Sequence, residues 1–211
     1  MIRAIVLAAG ASSRMGQAKA ALPLGTTGET VVSRVVRTLL TAGLPRVTVV
    51  AGAHIDAVRA AMPAFEPRAH VVDHLGWAEG QLSSLLAGLA AVDEPQLEAI
   101  LVTLVDVPLV RPDSVAAIVA AWRQSRAPIV RPVDPSTSLR AGGERHGHPV
   151  VFDRAVFEDL RRADPRIGAK AVFAAHAARR LDVPIQDAGA YIDIDTPDEY
   201  RTVLKRSEGA E

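Results

Sequence analysis

Several residues in this sequence are spaced to handle a phosphoanion. The stretch Leu7-Ala8-Ala9-Gly10-Ala11-Ser12-Ser13-Arg14-Met15-Gly16-Gln17-Ala18-Lys19 sets small residues beside two cations. Small residues at 8 to 11 let backbone N–H groups approach a phosphate or a base edge. Arg14, as a fork, and Lys19, as a point charge, supply positive charge for a triphosphate. Lysine at 19 stands out because only Lys19, Lys170 and Lys205 of the 24 basic residues are lysine. The spacing is neither that of a Walker A loop nor the Gly-x-Gly-x-x-Gly of dinucleotide folds.

Carboxylates come later in the chain. Asp106 follows an apolar run and precedes Val107-Pro108, while Asp193 and Asp195 alternate and so share one side of an extended segment. Magnesium carrying triphosphate oxygens needs one or two such hard ligands. Asp195 or Thr196 also suits the cap of a helix beginning at Pro197. Capping is therefore assigned to that pair, and Asp193 is read as the metal ligand beside Asp106. Gly80-Gln81-Leu82-Ser83-Ser84 places a glycine and paired hydroxyls at a helix start, where they cap the helix or meet a pyrimidine edge. His146 and His148 form a His-x-His without an evident third ligand, which argues against zinc.

These groups need elements to position them. Ile2 to Leu7 is a short, nearly all-apolar run, as expected of a central parallel strand covered on both faces. Similar runs recur at 47–50, 69–72, 99–105 and 127–130, with helical stripes through Val32 to Leu40, Leu82 to Leu89 and Val115 to Trp122. The alternation predicts a single-domain α/β fold: a Rossmann-like, three-layer open sheet, mostly parallel, with right-handed crossovers. Ligands bind at the carboxyl ends of strands in such sheets, where the glycine-rich loop and Asp106 both fall. Residues 132–147 lack periodicity and read as a long functional loop. Strands at 149–152, 181–184 and 191–195 follow, with helices at 155–162, at 169–179 and from Pro197. The domain spans 1–205, with a tail at 206–211.

Lys plus Arg and Asp plus Glu each number 24, so no overall field draws the chain to nucleic acid or an anionic membrane. The absence of cysteine excludes a disulfide framework, a thiolate metal site and a cysteine nucleophile. It fits a reducing compartment, with a cytoplasmic location as the expectation. The N-terminal apolar run is too short for a signal peptide, and no stretch is long enough to span a membrane.

Residues 7–19 resemble the Leu-Ala-Ala-Gly-x-Ser-x-Arg-Met-Gly-x-x-Lys signature of NTP transferases of the molybdenum cofactor cytidylyltransferase and guanylyltransferase fold. Ala9 matches the cytidylyltransferase type. Gly80 to Leu89 resembles the family's Gly-x-x-Ser-Ser-Leu-x-x-Gly-Leu, Asp106 its metal-binding Asp-x-Pro, and Gly147-His148-Pro149-Val150 its Gly-His-Pro-Val. Two departures stand out: the 133–146 stretch is longer than expected, and His74-Leu75 stands where Asn-Pro is common.

The resemblance implies a nucleotide-diphospho-sugar transferase type of fold and transfer of CMP from CTP to a molybdopterin-type cofactor. Leu7, Ala8, Ala9, Gly10, Ser12, Ser13, Arg14, Gly16, Lys19, Gly80, Ser83, Ser84 and Asp106 would bind nucleotide. His148, Pro149 and Lys170 would meet the acceptor, Mg2+ would sit on Asp106 and Asp193, and Lys19, Arg14 and Asp106 would carry the chemistry. A molybdoenzyme client is the implied protein partner. A sugar- or alcohol-phosphate acceptor, GTP as donor, a non-catalytic nucleotide-binding chaperone and a nucleotide-dependent oxidoreductase are the alternatives. Lys19 is expected to be an exposed loop residue whose loss hurts turnover far more than stability.

Overall fold

β1 (Ile2–Ala8) is apolar because both its faces are covered. Ala4, Val6 and Ala8 join one buried cluster, while Ile5, Leu7 and Ala9 join the other. The side-chain period of two thus sorts one strand into two cores, the signature of a sheet between helical layers. The computed structural model describes residues 1–25, 28–63, 66–137 and 144–208.

The helices α1 (Val31–Thr41), α2 (Ile55–Ala61), α4 (Pro112–Ser125) and α7 (Pro197–Glu208) send buried side chains into the first cluster. Those of α3 (Gln81–Val92), α5 (Phe157–Arg162) and α6 (Lys170–Ala175) enter the second. Between them lies a seven-stranded sheet of β1, β2 (Val47–Ala51), β3 (Ala69–Asp73), β4 (Ala99–Leu104), β5 (Ile129–Val133), β6 (Val150–Asp153) and β7 (Leu181–Pro184). Its order is β3-β2-β1-β4-β6-β5-β7. β6 runs antiparallel to both neighbours, and the other pairings are parallel.

The chain winds outward from β1 to β3 and then returns to lay β4 on β1's other side, pairing Leu7 with Leu104. That reversal opens a crevice at the carboxyl ends of β1 and β4.

Three expectations change. Residues 191–195 form no strand: a 3₁₀ turn covers Ala188–Tyr191, and the chain then runs extended past the end of β4. Both edges of β4 are already taken, by β1 and β6, so no ladder is left for this segment. α2 gave no stripe because it buries only Val58 and Ala61. The helix expected over 169–179 is regular only from Lys170 to Ala175. Within 132–147, Val133 bridges to His146, and residues 138–143 lie outside the described residues. In the expected tail, α7 continues to Glu208, and 209–211 lie outside the described residues.

α3 lies close against the sheet at Gly88, where an added Cβ would stand 2.6 Å from Ile5 Cγ2 and 2.9 Å from Val50 Cγ2. Both obstructing atoms belong to stiff, buried β-branched side chains. Gly88→Val should therefore lower unfolding free energy by about 2 kcal/mol, read as a lower denaturant midpoint at unchanged slope.

Candidate active site

The loop after β1 is held by its own carbonyls. Ser12 adopts φ +51° and its carbonyl accepts from the amides of Met15 at 2.9 Å and Gly16 at 3.1 Å. Its hydroxyl accepts from the Lys19 amide at 3.3 Å, and Met15 is buried, pinning the loop to the core. At the end of β2, Gly52 makes the approach possible: a Cβ there would lie 2.6 Å from the Ala9 carbonyl and 2.5 Å from Trp77 Cβ. His54 adds a hydrogen bond from its ring to the Ala11 carbonyl at 2.9 Å.

The loop delivers Lys19 to the carboxylates. Lys19 Nζ lies 2.5 Å from Asp195 Oδ1 and 3.2 Å from Asp106 Oδ2, and Arg14 Nη1 lies 2.8 Å from Asp195 Oδ2. The Asp106 carbonyl accepts from the Ile194 amide at 2.8 Å, which fastens the 193–195 segment beside Asp106. Burial raises the carboxyl pKa of Asp106; Lys19 opposes that shift, and Asp193 and Asp195 add to it. Asp195 is held below its ordinary range, chiefly by the hydrogen bond from Lys19.

Among the described residues, Asp106 Oδ1 is buried without a hydrogen-bond partner. A buried anionic oxygen left bare beside two further carboxylates fits the hard-oxygen donor set of a divalent cation. Asp193 stands close enough to perturb both Asp106 and His148.

Thr196 and Glu199 form a capping box: Glu199 Oε2 accepts from the Thr196 amide at 2.8 Å, and Thr196 Oγ1 accepts from the Glu199 amide at 3.3 Å. Capping thus belongs to Thr196, and Asp195 is free to serve the site. The sequence held the clue, since a glutamate stands three residues after Thr196.

A cavity of about 340 Å³ lies over this network, lined by Leu7, Ala8, Ala9, Gly10, Ser12, Lys19, Gly80, Ser84 and Asp106 among the expected residues. His54, Trp77 and Gln81 line it too, and no motif had marked them. Ser13, Arg14, Gly16 and Ser83 are not part of its lining. Ser83 Oγ instead bonds His74 Nε2 at 2.9 Å and the Gly80 carbonyl at 2.8 Å. The histidine that departs from Asn-Pro thereby ties the β3–α3 loop to the start of α3.

A second cavity, of about 380 Å³, adjoins the first and is lined by Arg131, His146, Gly147, His148, Phe152, Lys170 and Phe173, among others. His148 is half-buried with its Nδ1 shielded from solvent, and burial pushes its pKa down to about 4, so its ring is neutral. Pro149 lies away from this cavity, against Val35 and Thr38 in the interior.

His146 does have neighbours: ligand atoms of Glu144, His146 and Asp182 lie within 4.8 Å of one another. Arg131 and Arg180 nevertheless hold Asp182, and Arg131 also donates to His146. Burial raises the Asp182 pKa, but those two arginines outweigh it and set it at about 2. Two guanidiniums already occupy the place a metal would take.

A crevice at the sheet's reversal, with carboxylates and a lysine converging under a small-residue loop, defines the nucleotide-binding α/β transferases. The chain belongs to the MobA-like NTP transferase domain family, whose model matches residues 4–181, and it is a nucleotidyltransferase.

Among curated relatives it is 36% identical over 155 residues to nicotine blue oxidoreductase of Paenarthrobacter nicotinovorans, covering 72% of this chain and 71% of that one. It is 30% identical over 207 residues to the molybdenum cofactor guanylyltransferase of Sinorhizobium fredii, covering 92% and 86%. The solved structure of Rv0371c from Mycobacterium tuberculosis superposes with TM-score 0.75 at 30% identity over 97% of each chain. A structure of that protein in complex with manganese gives 0.69 at 29%, covering 97% of this chain and 98% of that one.

One expectation about Lys19 fails: its side chain is only 12% exposed and neutralises Asp106. Lys19→Ala should therefore lower unfolding free energy at pH 7 by about 2 kcal/mol, because Asp106 is left buried and unpaired. Since burial disfavours the charged carboxylate, Asp106→Asn alone should raise stability by on the order of 1 kcal/mol while abolishing turnover, and the double variant should melt near the wild type.

His148 binds its proton less tightly folded than unfolded. Its contribution to stability is complete above pH 6.5 and lost as pH falls from there toward about 4. A His148→Gln variant should show a flatter stability profile between pH 6.5 and 5 in denaturant titrations.

Proposed function

We propose that this nucleotidyltransferase transfers CMP from CTP to a molybdopterin-type cofactor, with Mg2+ as its metal and pyrophosphate as the second product. The observation that carries the reading is that Lys19 and Asp106, both in the wall of one cavity, join Asp195 through the Lys19 ammonium, and that this cavity opens beside a second, basic and aromatic one.

In this reading the first cavity takes the nucleotide, with backbone amides of Ala8 to Gly10 near the phosphates and Ser84 toward the base. The second takes the acceptor, with His148 in its wall and Lys170, exposed at the first position of α6, meeting the phosphate. Asp106 would hold the metal, with Asp193 or Asp195 as its second carboxylate. When bound, Mg2+ neutralises charge on the triphosphate.

The acceptor's phosphate oxygen forms the new bond to the α-phosphorus, the bond to the β-phosphate oxygen breaks, and its electron pair leaves with pyrophosphate. No protein nucleophile is required, so catalysis is positioning and charge neutralisation. Lys19 leaves the aspartates for the α-phosphate, and Arg14, paired with Asp195, follows toward the leaving group.

CTP is favoured because Ala9 matches the cytidylyltransferase signature; the guanylyltransferase relative supports GTP as the second reading. A molybdoenzyme that receives the product is the proposed client, in the cytoplasm. Among the described residues no helix is long and apolar enough to cross a membrane. The name of the Paenarthrobacter relative keeps an oxidoreductase in the test.

Purified protein incubated with Mg2+, molybdopterin and CTP should release pyrophosphate, GTP should support it at least tenfold less well, and EDTA should stop it. Nucleotide binding without pyrophosphate would turn the reading to a chaperone. Consumption of NADH or NADPH without pyrophosphate would turn it to a redox enzyme.

A further inference from the structure

Of the residues lining the two cavities, only Leu7, Gln81 and Leu104 line both. Leu7 and Leu104 are partners across β1 and β4, so the floor of the junction is apolar and paired in register. Gln81 is the one polar side chain there. It is exposed, and among the described residues its amide has no hydrogen-bond partner.

The backbone fixes it firmly all the same. Gly80 takes φ +108° and ψ 179°, a conformation open to glycine alone, and α3 begins at the next residue. The Ser83 hydroxyl bonds back to the Gly80 and Gly76 carbonyls. An unpartnered amide on a clamped helix start, over a leucine floor, is arranged for something that arrives from outside.

We propose that Gln81 is a catalytic residue whose side-chain N–H donates to a non-bridging oxygen of the α-phosphate undergoing transfer. This rests on the reading of one cavity as the nucleotide's and the other as the acceptor's, since their junction is where the new phosphorus–oxygen bond must form. The leucines offer that phosphate no hydrogen bond. A single neutral donor there replaces hydration without repelling the incoming phosphate, and it strengthens as charge builds on the α-phosphate oxygens.

The test uses the full chain with Mg2+, CTP or GTP, and molybdopterin. Gln81→Ala should lower kcat about 10- to 100-fold with the nucleotide KM changed less than threefold. Gln81→Glu should be slower still, and Gln81→Asn should recover part of the loss. Melting temperatures should match the wild type, because the residue is exposed.

Separately, the side-chain amide signals of Gln81 in a 15N spectrum, assigned by their loss in the Ala variant, should shift when CTP and Mg2+ are added without acceptor. A wild-type enzyme that turns over while Gln81→Ala stays within twofold of it, or an amide signal that does not move with bound nucleotide, overturns the proposal. A shifted signal in a protein that releases no pyrophosphate supports the phosphate contact and instead sinks the transferase reading.

Discussion

Everything at this site depends on one ammonium group standing between two carboxylates. Lys19 reaches Asp106 and Asp195 from a loop far away in sequence from both, so the contact closes the N-terminal turn, the end of β4 and the segment before α7 into one unit. The charges are partly removed from water, where an ion pair costs more to strip of solvent and gains more from its partner. The balance is left incomplete, with one oxygen of Asp106 bare. Such an arrangement leaves that carboxylate oxygen available to a cation.

The fold supplies this geometry by reversing direction at β1. β1, the loop after it, the start of α3 and the end of β4 line the first cavity, and the antiparallel β6 inserts between β4 and β5 to carry the wall of the second. Gly147 shows how tightly that wall is docked: a Cβ there would fall 2.1 Å from the Ala190 carbonyl. The two cavities thus draw largely on different stretches of chain and meet over a shared pair of leucines. The family match ends at residue 181, so the segment bearing Asp193 and Asp195 lies beyond it.

The parallel strands and the loop from Leu7 to Lys19 were legible because their signals are local: an unbroken apolar run, then small residues, then a lysine in an arginine-rich chain. Asp106 was legible for the same reason, as a carboxylate at a strand end. Asp195 was not, because two local roles competed for it and only the Thr196–Glu199 pairing resolves them. Trp77 and His54 were invisible as lining residues, since each enters the cavity through a loop whose path is set by packing at Gly52. Of the neighbours of His146, Glu144 is two residues away in the chain, while Asp182 comes from β7, which no spacing rule reaches. The expected strand at 191–195 failed because alternation describes extended chain equally well whether or not a ladder is free to receive it.

The fastening of residues 193–195 to Asp106 also bears on how the protein is made. A nascent chain on the ribosome can assemble the glycine-rich loop and the first four strands long before Asp195 leaves the exit tunnel. Until then Lys19 has only one of its two carboxylates. The ion-pair network therefore closes only after the sheet that carries Lys19 and Asp106 can already have formed.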